Sequence, residues 1–476
     1  MGKRALLADS QAERWLEELR GFAAVPNNVF DAAQIKANAS YLQELLQRQD
    51  FTVSLWDTPS GKPYVYASYV VDEALPTLLF YSHYDGVPVD TAHWDSAPFQ
   101  PVLKDAAGNH LTTREALRHP EGARFYARSV ADSKNAIISI MAALASIKAE
   151  GQEPGINIKL LLDGEEELES PYLRETVLRH SQDLAADLVI SASGETHQSG
   201  LPTIAFGVRG ILMLDLTLHT ATADMHSGHF GNFTPNAALE MAHLLAQLKD
   251  RKGKVLVPGF YEGVRQLTAE EQEVVLQIPS IERDIQQQFG IKKTEQSHSL
   301  QELINQPTFN VRGLQAGYVG DQASNIIPTT AQVSIDIRLV AGMDPDKIYR
   351  AMLTYLKQMG FTVTDTKPTK ADLITKGPVL QVQRSGSFKA MKTEMQAALP
   401  QQVLRLVQRS TAAPWVVEPT EGGSLNFSVF GALGMPLITL PVSNFDCNQH
   451  THNENLRLDF FLRGIDIFKE LLEFRG

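Results

Sequence analysis

The stretch from Ile156 to Ser170 joins a short apolar segment directly to a dense run of carboxylates. Residues 156–162 are mostly isoleucine and leucine, which predicts a buried strand, and the next five positions read Asp-Gly-Glu-Glu-Glu. Crowded carboxylates raise one another's pKa, so they are usually kept together only where a cation compensates them or one of them transfers protons. A solvated acidic loop is the alternative, because runs of charge usually lie on the surface. The rest of the chain has to decide between these two interpretations.

Size and composition indicate a globular protein with more than one domain. A chain of 476 residues exceeds what one ordinary hydrophobic core supports, and 43% hydrophobic with 21% charged residues is ordinary for a globular protein. The net charge of -12 argues against nucleic-acid binding, and no long apolar run predicts a membrane span. Cys447 is the one cysteine, which excludes a disulfide framework, and the first residues turn polar too soon for a secretory signal. We therefore expect a cytoplasmic protein with no membrane and no nucleic-acid partner.

Strands and helices alternate in the first part of the chain. Residues 76–81 and 188–191 predict strands on either side of the strand at 156–162, and residues 136–144 predict a strongly apolar helix. This alternation predicts an α/β fold with a mostly parallel sheet and helices on both faces. In such sheets the sites lie beyond the carboxyl ends of the strands.

A histidine and an aspartate stand just past the predicted strand at 76–81. His83 follows the strand, and Asp85 comes two residues later. This is the arrangement of a metal ligand and the carboxylate that orients it, although an ordinary loop histidine fits the same pattern. Other candidate ligands near His83 would favour the metal ligand over the ordinary loop histidine.

Two further strand or helix ends carry candidate ligands. Asp132 lies at the start of the apolar helix, where a carboxylate either caps the helix or reaches a metal. His450 lies in a loop that follows a predicted strand at 436–440. Because the carboxyl ends of parallel strands share one edge of a sheet, we expect these residues to meet the carboxylates of residues 165–167.

The pattern changes near residue 211. Leucines alternate with other residues over 211–219, which predicts a strand in an antiparallel sheet with one exposed face. From there to residue 373 the strands and helices no longer alternate in a parallel fashion. We predict an inserted α+β domain at 211–373 between two parts of a catalytic domain, 1–210 and 374–476. Residues 386–398 predict a helix in the second of these parts.

Taken in order, these residues resemble a family of co-catalytic zinc metallopeptidases that includes glutamate carboxypeptidases, carnosinase-like cytosolic dipeptidases and aminoacylases. The resemblance covers nearly the whole chain. It implies a phosphorylase/hydrolase-like catalytic domain with an inserted lid that also forms a homodimer. It further implies two divalent metals per chain, with zinc expected and manganese or cobalt as alternatives for a carboxylate-rich site.

The resemblance also implies a role for each residue of the site. His83 would bind metal and Asp85 would orient it, Asp132 would bridge both metals, Glu166 would be the general base, and Glu167 and His450 would complete the ligands. His452 competes with His450, which is preferred because it stands three positions before Asn453.

Residues of the insert and of a later turn resemble the family's substrate contacts. His226, in Asp224–Gly228, would polarise the scissile carbonyl, commonly from the partner subunit. Substrate would also be bound by four other residues: Asn325, Arg338, Gly423 and Ser424.

Two positions depart from the family pattern. Ser193 stands where the family has a metal-binding aspartate, and a serine offers no charge to a metal. Either Glu195, two residues later, reaches the metal with its longer side chain, or the first metal is weakly held. Thr420 stands where many relatives have an arginine, and losing that clamp weakens recognition of a free C-terminal carboxylate.

These observations predict a metal-dependent hydrolase of amide bonds. The preferred form is an exopeptidase or dipeptidase that attacks a small peptide with a water activated by two metals. Thr420 favours an alternative, a deacylase of N-acyl amino acids or another amidase. Ser193 motivates a third, a degenerate member of the family that binds a metal or ligand without turnover.

Overall fold

The computed structural model describes residues 9–475. The helices of this part are α1 (Asp9–Ala23), α2 (Ala32–Gln47), α3 (Thr113–Arg118), α4 (Asn135–Ala149), α5 (Leu173–Arg179), α6 (Ser181–Leu184), α7 (Ser227–Phe230), α8 (Ala237–Leu248), α9 (Ala269–Gln277), α10 (Glu282–Phe289), α11 (Leu300–Ile304), α12 (Pro345–Gln358), α13 (Lys370–Lys376), α14 (Ala398–Val407), α15 (Ser428–Ala432) and α16 (Leu458–Leu472).

The strands are β1 (Thr52–Trp56), β2 (Tyr64–Tyr69), β3 (Thr77–His83), β4 (Val102–Lys104), β5 (His110–Leu111), β6 (Arg124–Tyr126), β7 (Asn157–Asp163), β8 (Leu188–Ser191), β9 (Thr203–Ala205), β10 (Gly207–His219), β11 (Met225–His226), β12 (Thr308–Ala316), β13 (Ile326–Ile327), β14 (Thr330–Leu339), β15 (Thr362–Thr364), β16 (Val379–Phe388), β17 (Met391–Lys392), β18 (Val416–Glu418), β19 (Glu421–Ser424), β20 (Leu437–Thr439) and β21 (Asn455–Arg457). A π-helical turn, Val130–Lys134, leads into α4, and a 3-10 turn, Glu166–Leu168, follows β7.

An eight-stranded sheet forms the main body, in the order β1-β2-β7-β3-β8-β20-β9-β18. Its central strands β7, β3, β8 and β20 pair in parallel, whereas β2 and β9 join them in antiparallel fashion. The predicted α/β fold with a mostly parallel sheet is therefore confirmed. Parallel pairing sets His83 at the end of β3 level with Asp163 at the end of β7.

Helices cover both faces of this sheet. Successive side chains of a strand point to opposite sides, so the apolar strands present a hydrophobic surface to the helices on each face. Phe80 of β3 packs edge-on against Phe468 of α16, in a core that also contains α4. On the other face, Tyr81 packs against Phe427 in a smaller core with α5 and α15. Each predicted buried strand thus contributes to two apolar layers.

A second, seven-stranded sheet has the order β12-β14-β10-β16-β15, and β17 and β19 also pair with β10. Its pairs are antiparallel apart from β15–β16 and β10–β19. Its alternate residues on β10, including Leu212 and Leu214, pack with α8 and α12 in a separate core. The inserted α+β unit of the predicted fold class is therefore confirmed. The boundaries at 210/211 and 373/374 stay predictions, and β16 of this sheet lies beyond residue 373.

The predicted helix at 386–398 is wrong. Residues up to Phe388 belong to β16, and α14 begins only at Ala398. The cause is tertiary, since β16 pairs with β10 from Ile211 to His219 and satisfies its backbone hydrogen bonds there.

One helical stretch, Val130–Ala149, is long and apolar enough to cross a bilayer by length and composition. Within the fold, 94% of the apolar part of this stretch is buried among other elements of the protein. The central helix of a globular core passes the same test, because such a helix is hydrophobic all round.

Candidate metal centre

The Asp85 carboxylate connects His83 to the glutamate pair. Its Oδ1 lies 3.2 Å from His83 Nδ1, and the backbone amides of Glu166 and Glu167 donate to its two oxygens at 3.2 and 3.0 Å. Asp85 is fully buried. A proton held on Nδ1 by this contact leaves Nε2 of His83 free to bind a metal.

Asp132 lies between two histidines. Its Oδ1 is 3.4 Å from His83 Nε2, and its Oδ2 is 3.2 Å from His450 Nε2. A carboxylate that directs one oxygen to each of two imidazoles has the geometry required of a ligand shared by two cations. The side chains of His83 and Asp132 are almost buried, whereas that of His450 is 53% exposed and leaves one side of the centre open.

Glu167 completes a group of three possible ligands. Its Oε2 lies 3.1 Å from His450 Nε2, and one ligand atom each of Asp132, Glu167 and His450 lies within 4.8 Å of the others. The second oxygen of Glu167, Oε1, is buried without a hydrogen-bond partner among the described residues. An unpaired buried carboxylate oxygen is costly, so the group fits a bound cation.

The electrostatics of this group reflect its excess of carboxylates. Hydrogen bonds to Asp132 and Glu167 raise the pKa of His450 to about 10. Burial alone raises the pKa of Asp132, but hydrogen bonds from His450 and His83 outweigh it and hold that pKa below its ordinary value. Burial raises the pKa of Glu167 to about 7, against the effect of His450.

Glu166 stands beside the group rather than in it. Its Oε2 lies 3.9 Å from His83 Nε2. Burial raises the pKa of Glu166 to about 8, with His83 opposing the rise and Glu167 adding to it. Burial also lowers the pKa of His83, yet Glu166, Asp132 and Asp85 outweigh burial and keep that pKa well above its ordinary value. The centre thus holds more negative charge than its imidazoles neutralise, as a cation site does.

A buried glutamate holds the Asp132 turn in place. Glu454 accepts hydrogen bonds from the backbone amides of Ser129, Ala131 and Asp132 at 2.7 to 3.1 Å. It also pairs with Arg128 at 2.9 Å, and both side chains are buried. Ser129 has a left-handed backbone, with φ of 60°, where the chain enters the π-helical turn. Sequence reasoning missed the supporting role of Glu454 and Arg128.

Two residues, Ser193 and Glu195, are candidates for the role of the family's metal-binding aspartate. Neither belongs to the group formed by Asp132, Glu167 and His450. Ser193 Oγ hydrogen-bonds to Ser82 Oγ at 2.8 Å. Glu195 accepts a hydrogen bond from Cys447 Sγ at 3.1 Å. Burial raises the pKa of Glu195, and the nearby charge of Asp132 adds to the rise, so Glu195 is a neighbour of the centre. A cation bound by His83 and Asp132 would therefore have fewer protein ligands than a cation bound by Asp132, Glu167 and His450.

The competing histidine, His452, does not face the centre. Its Nδ1 lies 3.3 Å from Thr451 Oγ1, and its ring lies 6.1 Å from that of His93. The geometry favours His450 as the ligand.

The lid residues lie apart from the centre of the same chain. His226 is exposed; its Nδ1 accepts from the Gly228 amide at 3.0 Å, and its ring lies 4.7 Å from that of His229. The backbone carbonyl of Asn325 accepts from Ser227, which places Asn325 next to His226. Arg338, on β14, has its Nε 3.7 Å from Asp336 Oδ1. The contacts of these residues join them to the lid and not to the cluster of ligands.

The predicted turn at 421–424 is strand β19, which pairs in parallel with the start of β10. Ser424 Oγ donates to the Gly210 carbonyl at 3.1 Å, and Arg209 donates twice to the Gly422 carbonyl, at 2.9 and 2.6 Å. Gly423 is exposed. Sequence reasoning missed Arg209, whose place in a Val-Arg-Gly segment was the available signal.

Thr420, the second departure from the resembled family pattern, is buried next to this strand. Its Oγ1 accepts from Lys392 Nζ at 3.3 Å, and Lys392 also pairs with Glu271 at 3.0 Å. A lysine engaged in this way does not supply the missing clamp.

The donors of the centre are carboxylates and imidazoles. Asp132, Glu167 and His450 can hold one divalent cation, and His83 with Asp132 can contribute two donors to another. Zinc, manganese and cobalt all accept this combination of ligands.

Comparisons with known proteins agree with this geometry. The model of peptidase family M20/M25/M40 matches residues 79–473. The Cys-Gly metallodipeptidase dug1 of Schizosaccharomyces pombe is 24% identical over 417 residues, covering 85% of this chain and 81% of that protein. The Beta-Ala-His dipeptidase of Mus musculus is 23% identical over 419 residues, covering 85% and 78%. The crystal structure of the M20 family metallo-carboxypeptidase Sso-CP2 from Sulfolobus solfataricus has a TM-score of 0.80 and 28% identity, covering 96% and 98%.

Proposed function

The chain belongs to peptidase family M20/M25/M40, and from this premise we propose that it is a metal-dependent dipeptidase or related exopeptidase that hydrolyses small peptides. One observation carries the proposal. Asp132 directs one oxygen to His83 and the other to His450, and Glu166 stands beside His83. This is an arrangement for a shared metal ligand with a free carboxylate next to it.

We propose that the site takes two divalent cations, with zinc as the expected metal. Asp132, Glu167 and His450 would hold one, and His83 and Asp132 would hold the other, with Asp85 orienting His83. When bound, such cations lower the pKa of water and polarise a carbonyl group. The alternative that Glu195 is a ligand has less support, because its carboxylate faces Cys447.

Glu166 is suited to move the proton of the reaction. In this proposal its carboxylate takes a proton from the attacking water and then gives it to the nitrogen of the leaving amine. The Asp85 contact to the Glu166 amide fixes the backbone of this residue. Because Glu166 makes no contact with lysine or arginine in the described part of the chain, its carboxylate is free for this exchange.

We propose that the active form is a homodimer in which His226 reaches the centre of the partner subunit. Within residues 9–475, the contacts of His226 are with Gly228, His229 and Ile326 and not with the centre of its own chain. The lid also exposes large apolar side chains, among them Phe233 at 85%, Leu239 at 60% and Leu314 at 56%. Exposed apolar groups of this size are typical of an interaction surface.

The substrate would be a small peptide, as the names of the dipeptidase relatives suggest for this chain. Asn325 and Arg338 of the lid, with Gly423 and Ser424 of β19, are the proposed substrate contacts. A cytoplasmic location is proposed because Cys447, the one cysteine of the sequence, is a buried free thiol. No contact of Thr420 in the described residues favours N-acyl amino acids over dipeptides.

A metal-replete activity screen tests the proposal. The purified protein is supplied with zinc, manganese or cobalt and assayed against mixed dipeptides and N-acyl amino acids, and the metal content is measured on the same sample. We expect dipeptide hydrolysis with two metals per chain. Hydrolysis of N-acyl amino acids alone, or metal binding without any turnover, would overturn the proposed function.

A further inference from the structure

A cavity of about 270 Å³ opens beside the candidate metal centre. Glu195, on which the charge of Asp132 acts, lines this cavity together with Glu421 and Gly422 of β19. Gln301 of α11 and Glu418 of β18 lie in its wall. The volume is below that of pockets for drug-sized ligands, and it suits one side chain or end group of a small substrate.

Carboxyl groups dominate the charge of this cavity. Glu195, Glu418 and Glu421 line it, and none of the described lining residues is lysine or arginine. Two cations lie nearby: Arg209 acts on Glu421 but donates to the Gly422 carbonyl, and Lys392 donates to Thr420 and pairs with Glu271. His197, also in the wall, stays neutral because burial lowers its pKa. The carboxyl groups are therefore not neutralised from within the cavity.

A buried amide oxygen supplies an independent sign of a ligand. Gln301 is 6% exposed, and its Nε2 donates to Glu418 Oε1 at 3.2 Å. Its Oε1, a hydrogen-bond acceptor, is buried and has no partner among the described residues, and Gln301 is one of the residues that line the cavity. A buried acceptor without a donor costs free energy, and a ligand with N–H groups would satisfy it.

We propose that this cavity binds an organic cation carried by the substrate, an ammonium or guanidinium group, through Glu418, Glu421 and the Gln301 amide oxygen. The proposal rests on the proposed peptidase function and deepens it, because it names the class of substrate. The cation is either a basic side chain or the free α-amino group of the peptide. Both present the same N–H donors to the same acceptors.

The protonation of Glu418 agrees with this assignment. Burial, followed by the charge of Glu421, raises the pKa of Glu418 to about 8. A carboxyl group in such a place loses its proton readily when an opposite charge arrives, because the cation favours the ionised form. Binding a cation would thus stabilise the ionised form of the buried carboxyl groups and supply a donor to the unpaired acceptor.

The test compares substrates that differ only in charge. The kcat/KM values of the wild type are measured for Lys-Gly against norleucine-Gly and for Gly-Lys against Gly-norleucine. The N-acetylated form of norleucine-Gly probes the α-amino group. We expect a preference of at least about tenfold for the cationic member of one pair, because a hydrogen bond to a charged group is worth that much.

Variants assign the preference to the cavity. In Glu418→Gln/Glu421→Gln, which keeps the shape of both side chains, the preference should fall to about twofold or less. Glu273→Gln, at an exposed position on the nearby α9, should leave it unchanged. Loss of a lysine preference identifies the side chain as the cation, and loss of an effect of acetylation identifies the α-amino group. A wild type that does not distinguish any of these pairs, or a preference that survives in the double variant, overturns the proposal.

A binding measurement separates this proposal from the peptidase function. Pentylamine and 1-pentanol have the same alkyl chain, but only the amine is a cation. Calorimetry should show binding of pentylamine to the wild type, weaker binding to the double variant and none of 1-pentanol. If no peptide is hydrolysed and pentylamine still binds in this way, the proposed function fails and the cation site stands; if peptides are hydrolysed and pentylamine does not bind, the reverse holds.

Discussion

Glu454 Oε1 accepts a hydrogen bond from the backbone amide of Asp132 at 3.1 Å, so a residue of the last histidine loop fixes the carboxylate that faces both histidines. The same loop carries His450. The position of a predicted bridging ligand therefore depends on a residue more than three hundred positions away in the chain.

Replacing Glu454 with Gln should destabilise the protein, because the buried Arg128 loses its charged partner. Breaking a buried ion pair from one side costs about 3–5 kcal/mol in unfolding free energy. Urea unfolding measures the loss. Glu13→Gln breaks the Glu13–Arg114 pair, whose arginine is 77% exposed, and should cost about 1 kcal/mol or less. Equal losses for the two variants would contradict the supporting role of Glu454.

Glu166→Gln should lower kcat by about 10²–10⁴-fold, the usual contribution of a general base. Metal content should stay unchanged, because Glu166 lies outside the group of three ligands. Initial rates and elemental analysis on one sample check both expectations. Glu175→Gln, at an exposed position on α5, is the control for the loss of one carboxylate. A variant that retains near wild-type kcat would show that another group carries the proton.

Asp132→Asn and Glu195→Gln should differ in metal content. Asp132 faces both histidines, so its replacement should remove most of the bound metal. Glu195 faces Cys447, so its replacement should leave the stoichiometry as it is. Elemental analysis after dialysis against low metal makes the comparison. A loss of one metal in Glu195→Gln would show that its side chain turns from Cys447 to the centre.

Glu418 should make stability depend on pH. Its pKa is about 8 in the folded protein, because burial and the charge of Glu421 disfavour the ionised form, whereas it is 4.5 in the unfolded chain. Between these values the folded state holds the extra proton, so this contribution to stability is fully present below pH 4.5 and is lost as pH rises through about 8. The wild type should lose up to about 1.4 kcal/mol per pH unit relative to Glu418→Gln in this window. Urea unfolding of both proteins at several pH values tests it; a pH-independent difference would show that Glu418 is ionised when folded.

Mixing two inactive variants should restore activity if His226 acts across a dimer. In a hybrid of Glu166→Gln with His226→Asn, one of the two centres has both an intact Glu166 and an intact partner His226. Random mixing by co-expression should then give about a quarter of the wild-type activity, since about half of the dimers are hybrids. Purified variants mixed after folding without subunit exchange serve as the control. Failure of co-expressed variants to regain activity would place His226 outside the partner's site.

How much of the fold was predictable depended on periodicity. The apolar run ending at Leu162 and the strand before His83 are local patterns, and parallel pairing of their strands follows from the alternation with helices. The segment 386–398 shows the limit. Its residues are compatible with a helix. However, β14 pairs with only one edge of β10, and pairing with the other edge makes the chain a strand up to Phe388.

The candidate site divides in the same way. The sequence by itself determined which chemical groups stand at the ends of the strands, because a residue's position just past a buried strand or at a helix start is a local property. Only the tertiary structure decided where the side chains point. It turned Glu195 to Cys447, tied Asp132 to Glu454 and opened the cavity at Glu418. These outcomes depend on packing between segments far apart in the chain, and local sequence patterns carry no information about such distances.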